Sequence, residues 1–237
     1  MYGTYKPPLS FKGKNFYISL KKQDNIWKYR RKIGKEESEK EVVFSKGEVI
    51  INPVEPVNLP KEICSYLFVE LSKDIIFAPK ERIKFYITFP VEIAVIISSG
   101  KNFRLLDIFT FVSPKYTLYG NIRTGVICKY WKSDIYTKIP KIDTLKEGVI
   151  EVNALNNSSE WIDVKRLVFT AYGMKIYYNK SLVSMRAIVK ILGEEIAETS
   201  FIDSPLKANM KKSVEIFRTK KIVIPLHEKF IMEEGLC

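Results

Sequence analysis

The sequence predicts an all-β chain: two immunoglobulin-like antiparallel β-sandwiches with at most one short helix. Three observations carry this. Apolar and polar residues alternate at period two in segment after segment. The apolar segments are short and rich in β-branched and aromatic side chains. Turn-forming clusters interrupt them at intervals of about 8 to 12 residues, the rhythm of a sandwich rather than of alternating strands and helices.

The alternation first appears at Phe16, Ile18 and Leu20 and resumes over Ile26–Ile33, with Asp24-Asn25 as the turn between. The charged run Lys35 to Glu41 lacks an apolar face and reads as a solvated hairpin tip. Asn52-Pro53 reads as a turn, and the proline-rich stretch 52–62 as an extended crossing between sheets. Leu67, Val69 and Leu71 mark a further strand. Residues 83–97 alternate almost without interruption, with Pro90, which has no N–H to give to a ladder, marking a bulge, an edge or a break between two strands. Later strands are read at Ile150-Val152-Ala154, Leu167-Phe169-Ala171, Met185-Ala187-Val189-Ile191 and Ile222-Ile224. Ser204-Pro205, followed by Leu206, Met210, Val214 and Phe217, has the start signal and apolar spacing of the single short helix. Ile139-Pro140-Lys141 reads as a boundary between a larger basic sandwich, residues 1–140, and a smaller one, residues 141–237.

At 237 residues the chain buries enough surface to fold without disulfides or a metal. Cys64, Cys128 and Cys237 are an odd number with no C-x-x-C spacing, which argues against a disulfide framework and a thiolate zinc site. No run of 18 apolar residues or secretory leader is present, so a cytoplasmic protein with no membrane span is expected. One glutamine and one histidine beside abundant Lys, Glu and Ile give a thermophilic composition.

The net charge of +12 is unevenly spread: residues 1–35 carry +9, residues 36–100 carry −4 and residues 101–140 carry +5. Such segregation attracts anionic partners. In a strand over Ile26–Ile33, Lys28, Arg30 and Lys32 share one face while Trp27, Tyr29 and Arg31 share the other. The cationic face suits a phosphate backbone, and equally suits an edge strand whose charges deter aggregation. Residues 114–136 interleave Tyr116, Tyr119, Arg123, Lys129 and Trp131 with a single acid, Asp134. Aromatics among cations stack bases while neutralising phosphates, although Tyr and Trp are also ordinary core residues of strands.

Catalysis draws little from the sequence. The lone His227 builds neither a histidine-rich metal site nor a convincing triad, and the carboxylate pairs Glu194-Glu195 and Glu233-Glu234 point to opposite faces of a strand. No catalytic, metal-ligating or cofactor-binding residue is assigned.

The stretches Ile51–Pro56, Pro114–Gly120, Gly125–Trp131 and Ala171–Lys175 resemble those of an archaeal family of uncharacterised proteins, a domain of unknown function. The resemblance covers most of the chain and implies an archaeal, cytoplasmic protein. It implies no activity, cofactor or catalytic residue.

The leading expectation is a non-enzymatic binding or assembly module, whose exposed strand edges and Tyr116–Tyr136 region contact another protein or a second copy of the chain. The alternative is a nucleic-acid binder using Lys28, Arg30, Lys32, Arg123, Lys129 and Trp131. An enzyme with a carboxylate or hydroxyl site ranks third.

Overall fold

The alternating segments become strands throughout the computed structural model, which describes residues 1–60, 63–100, 102–216 and 229–237. After the short β1 (Gly3–Tyr5), strands β2 (Leu9–Lys12), β3 (Phe16–Gln23), β4 (Ile26–Ile33) and β5 (Glu36–Val42) form an antiparallel meander. The two-residue turn after β4 places Gly34 at φ 57°, a left-handed backbone that glycine adopts without the Cβ clash other residues suffer. The predicted solvated tip is therefore more extended than expected. Residues Glu36–Val42 form a full edge strand, because Glu37, Glu39 and Glu41 stand opposite Lys32, Arg30 and Lys28 in the ladder.

Strand β6 (Glu48–Val54) contains the Asn52-Pro53 pair read as a turn. The strand tolerates Pro53 because β1 covers only Val49 to Ile51, leaving that edge open where the proline lacks its N–H. Strand β7 (Tyr66–Phe77) leads to β8 (Arg82–Pro90) and β9 (Glu92–Ser99), and the break falls at Pro90, as one of its predicted roles requires. Here the chain passes from one sheet to another. Next come β10 (Asn102–Thr110), β11 (Tyr116–Tyr119), β12 (Val126–Ser133), β13 (Glu147–Asn156) and β14 (Ile162–Thr170). A three-residue 3₁₀ turn, Ala171–Gly173, precedes β15 (Tyr177–Tyr178), β16 (Val183–Ile191), β17 (Ala197–Ile202), β18 (Lys211–Lys212) and β19 (Phe230–Met232).

Besides the meander there are sheets of order β1-β6-β9-β10 and β11-β12-β7-β14, and a larger sheet β18-β15-β16-β13-β8 extended by β17 and β19. Two ladders, β7 with β12 and β13 with β16, run parallel, a departure from the purely antiparallel expectation. The long connection from β7 to β12, which itself contributes strands to other sheets, makes the first possible. A cut at residue 140 would sever the ladders β8–β13 and β7–β14. One hydrophobic cluster likewise joins Leu9, Ile18 and Tyr29 to Phe169, Met185 and Leu236.

The predicted helix from Ser204 is absent. Met210 packs with Tyr86, Val149 and Tyr177, whereas Val214 packs against Val54, Ala94 and Ile96, so the apolar positions serve two separate surfaces. The backbone ladder of Lys211-Lys212 with Tyr177-Tyr178 takes the place of helical hydrogen bonds. Phe217, the Ile222-Ile224 strand and His227 lie outside the described residues.

Gly148 stands opposite Phe89 in the β8–β13 ladder, where a Cβ would meet the ring carbons at 2.3 Å. Phe89 is fully buried and has no room to retreat. Gly148→Val is expected to lower unfolding free energy by about 1–3 kcal/mol through overpacking, read as a reduced urea midpoint.

Candidate functional site

The predicted cationic stripe forms on β4 with the expected facing: Tyr29 is buried, and Arg30 and Lys32 are exposed. Its charge is matched along its length by β5. Lys28 Nζ lies 3.5 Å from Glu41, the Arg30 guanidinium 3.0 Å from Glu39, and Lys32 contacts Glu37. Exposed pairs of this kind add little stability, but they place a carboxylate beside each cation that a phosphate would need.

The second predicted group divides. Tyr116 and Lys129 face each other across the β11–β12 ladder, with the ammonium 5.3 Å from the centre of the phenol ring. Lys129 is buried at 3% exposure against Glu92 at 1%. Its Nζ donates to Glu92 Oε1 at 3.0 Å and to the Leu59 carbonyl at 3.2 Å, while the Asn58 N–H donates to Glu92 Oε2 at 2.8 Å. Burial pushes the Glu92 carboxyl above its ordinary range, against the opposing pull of Lys129 and Asn58. Trp131, two residues beyond Lys129 on the same strand face, is half-buried and donates Nε1–H to Thr88 Oγ1 at 2.9 Å. Tyr119 faces the opposite side and is buried against Phe68 and Phe230. Arg123 is exposed in the turn after β11, where the Asn121 carboxamide oxygen accepts its backbone N–H. The structure thus joins Tyr116 with Lys129, keeps Trp131 nearby on their strand, and leaves Tyr119, Arg123 and the β4 stripe elsewhere.

Arg31 and Asp107, neither of them a predicted site residue, form a second network. Arg31 Nε donates to Asp107 Oδ2 at 2.7 Å, the Tyr29 hydroxyl donates to the same oxygen at 2.8 Å, and Lys40 Nζ stands 3.7 Å from Oδ1. The Arg31 guanidinium lies over Phe109 at 5.4 Å. Burial first, and Asp107 second, raise the Tyr29 phenol far above its usual range, so it remains a hydrogen-bond donor. The inward phase of Trp27, Tyr29 and Arg31 was the available signal: an arginine on an apolar face needs a buried acid. Nothing local to residue 107 identified that acid.

Between the two charged networks lies a cavity of about 630 Å³. Arg31, Lys35 and Glu36 form one side, Leu59, Pro60 and Tyr116 another, and the chain from Ile108 to Pro114 its floor. Glu92, Lys129 and Asp107 are all engaged in ion pairs. Burial raises both interior thiols, Cys64 and, to about 12, Cys128, so neither is a thiolate nucleophile near neutrality. Among the described residues no group of three His, Cys, Asp or Glu is placed to hold a metal ion. None of their helices is long and apolar enough to cross a membrane.

Fold and site together define an all-β protein of several sheets, with ion pairs closed inside it and an open cavity beside them. The chain belongs to a family of proteins of unknown function, DUF432, which it matches over residues 1–233. Neither the curated proteins nor the solved structures contain a match to it.

Proposed function

We propose that the chain is a non-enzymatic assembly module in which two copies join through the outer edge of β11. One observation carries this reading: β11 ends its sheet, carries no charged residue, and exposes apolar side chains. Leu118 and Ile127 stand directly opposite each other, 42% and 45% exposed, and Ile122 in the adjoining turn is 94% exposed. Edge strands are ordinarily guarded by charge, as β5 is by its glutamates. The Tyr-Thr-Leu-Tyr of β11 carries no such guard. Paired antiparallel about its centre, it meets its copy without opposing like charges, and Lys115 falls opposite Gly120.

The nucleic-acid reading draws less support, because Lys28, Arg30 and Lys32 each have a glutamate partner and Lys129 is buried. A catalytic reading also draws less support, because burial raises the two free interior thiols, Cys64 and Cys128, out of the range of a thiolate nucleophile near neutrality. Free, buried Cys64 and Cys128 accord with the expected cytoplasmic setting.

Sedimentation equilibrium tests the assembly. The native chain should behave as a dimer that dissociates on dilution, and Leu118→Lys, which brings two ammonium groups close to the two-fold axis, should weaken it by more than about tenfold. A native chain that stays monomeric at high concentration overturns the reading.

A further inference from the structure

A second cavity, of about 370 Å³, shares no residue with the two charged networks or with β11. Its floor is aromatic. The rings of Tyr2 and Tyr178 meet edge to face at 5.5 Å, and Tyr178 closes β15 as a buried residue. Burial, and after it the Asp143 carboxylate, raises the Tyr2 phenol far above its usual range, so its hydroxyl stays a donor, held by the Thr144 carbonyl at 2.7 Å. Asp143 does not line the cavity and is paired with Lys146 at 3.8 Å.

The rim presents hydrogen-bond donors to solvent. The N–H groups of Ser181 and Leu182 both donate to Asn179 Oδ1 at 2.9 Å, which turns Asn179 Nδ2 toward Asn209, whose Oδ1 accepts it at 3.0 Å. The Nδ2 of Asn209 is thereby left, on an exposed side chain, with no acceptor among the described residues. Lys211 stands opposite Tyr178 in the β15–β18 ladder and so shares its face. Its neighbour Lys212 turns the other way, to Asp203 at 2.6 Å and Glu215 at 3.1 Å. Lys211 and Lys180 are both exposed at the rim, and among the described residues no carboxylate lines the cavity. Two ammonium groups and a carboxamide N–H therefore converge without a negative charge to answer them.

We infer that this cavity binds a small phosphate monoester, with the phosphate held by Lys180, Lys211 and Asn209 and an aromatic or hydrocarbon body lying on the Tyr2–Tyr178 floor. A phosphate monoester carries about −1.5 to −2 charges near neutrality, which two lysines match and a carboxylate would only half satisfy. The volume of about 370 Å³ lies at the lower end of small-molecule sites, about 300–1,000 Å³, and suits a single small ester.

Titration calorimetry tests this with phenyl phosphate as the probe, inorganic phosphate as the anion without a body, and benzoate as the body with one charge. Phenyl phosphate should bind once per chain, and each of the other two at least about fivefold more weakly. Lys180→Met combined with Lys211→Met should weaken phenyl phosphate by at least about tenfold. Asn209→Asp keeps the acceptor for Asn179 and sets a carboxylate where the free donor stood, and it should weaken binding as strongly. Lys22→Met, which removes the same charge from the exposed surface of the meander, should bind as the native chain does. Leu118→Lys should also bind normally, which separates this site from the assembly edge. The inference is overturned if phenyl phosphate gives no saturable heat, if benzoate or inorganic phosphate binds equally well, if the lysine pair or Asn209→Asp leaves binding undiminished, or if Lys22→Met weakens it as much as the lysine pair does.

Discussion

Lys129→Met is expected to remove about 3–5 kcal/mol of unfolding free energy at neutral pH, because it strands the Glu92 carboxylate in the interior. The size follows from burial: with both partners almost wholly inaccessible, water cannot replace the lost ammonium. The pH dependence has a definite sign. Burial already holds the Glu92 carboxyl above its ordinary range, and the variant loses the main group that opposes this shift. A carboxyl raised in the folded state contributes stability below its unfolded pKa and loses it as pH rises through the folded value. The deficit should therefore be greatest near neutrality and shrink as pH falls toward about 4. Replacing both partners with apolar residues, Lys129→Met with Glu92→Leu, should recover most of the loss, since neither charge then remains to be desolvated. Urea unfolding of the three proteins across pH measures all of this. A loss in Lys129→Met below about 1 kcal/mol, unchanged with pH, would be the behaviour of an exposed pair and would contradict the buried one.

Asp107→Ala is the second large effect, again about 3–5 kcal/mol, because a single carboxylate holds Arg31, Tyr29 and Lys40. The network joins β4 of the meander to β10 of the neighbouring sheet, so its loss should loosen that contact in particular. Asp107→Asn keeps an acceptor for the Tyr29 hydroxyl and for Arg31 Nε while removing the charge. It should cost clearly less than the alanine change, and equal losses in the two variants would show that hydrogen bonding to the carboxylate contributes nothing. Urea midpoints give the comparison, with near-ultraviolet circular dichroism following the packing around Tyr29.

Local pattern carried the strands because a pleated backbone sends alternate side chains to opposite faces, a rule that needs no knowledge of neighbours. It placed Tyr29 inward and Lys28, Arg30 and Lys32 outward correctly. It failed where the ladder partner decides the outcome. The charges from Glu36 to Glu41 looked like a loop until β4 stood beside them, and Pro53 looked like a turn until the short reach of β1 exempted it from pairing. The apolar spacing from Leu206 to Val214 imitated a helix while serving two different surfaces.

The site was legible to a similar degree. Tyr116 and Lys129 were singled out and do meet, but an exposed lysine and a buried one look alike in sequence. Only Glu92, 37 positions away and delivered by another sheet, makes Lys129 an interior residue. Arg31 was visible as a cation on an apolar face, whereas Asp107 was not, and the cavity between the Arg31–Asp107 and Lys129–Glu92 networks belongs to no single segment.

Amide hydrogen exchange at β11, followed at dilute and at concentrated protein, addresses the assembly edge most directly. If two copies join there, amides within Tyr116–Tyr119 should exchange more slowly as concentration rises, while those of the glutamate-guarded β5 keep a constant rate. Exchange at β11 that is the same at every concentration would contradict the account.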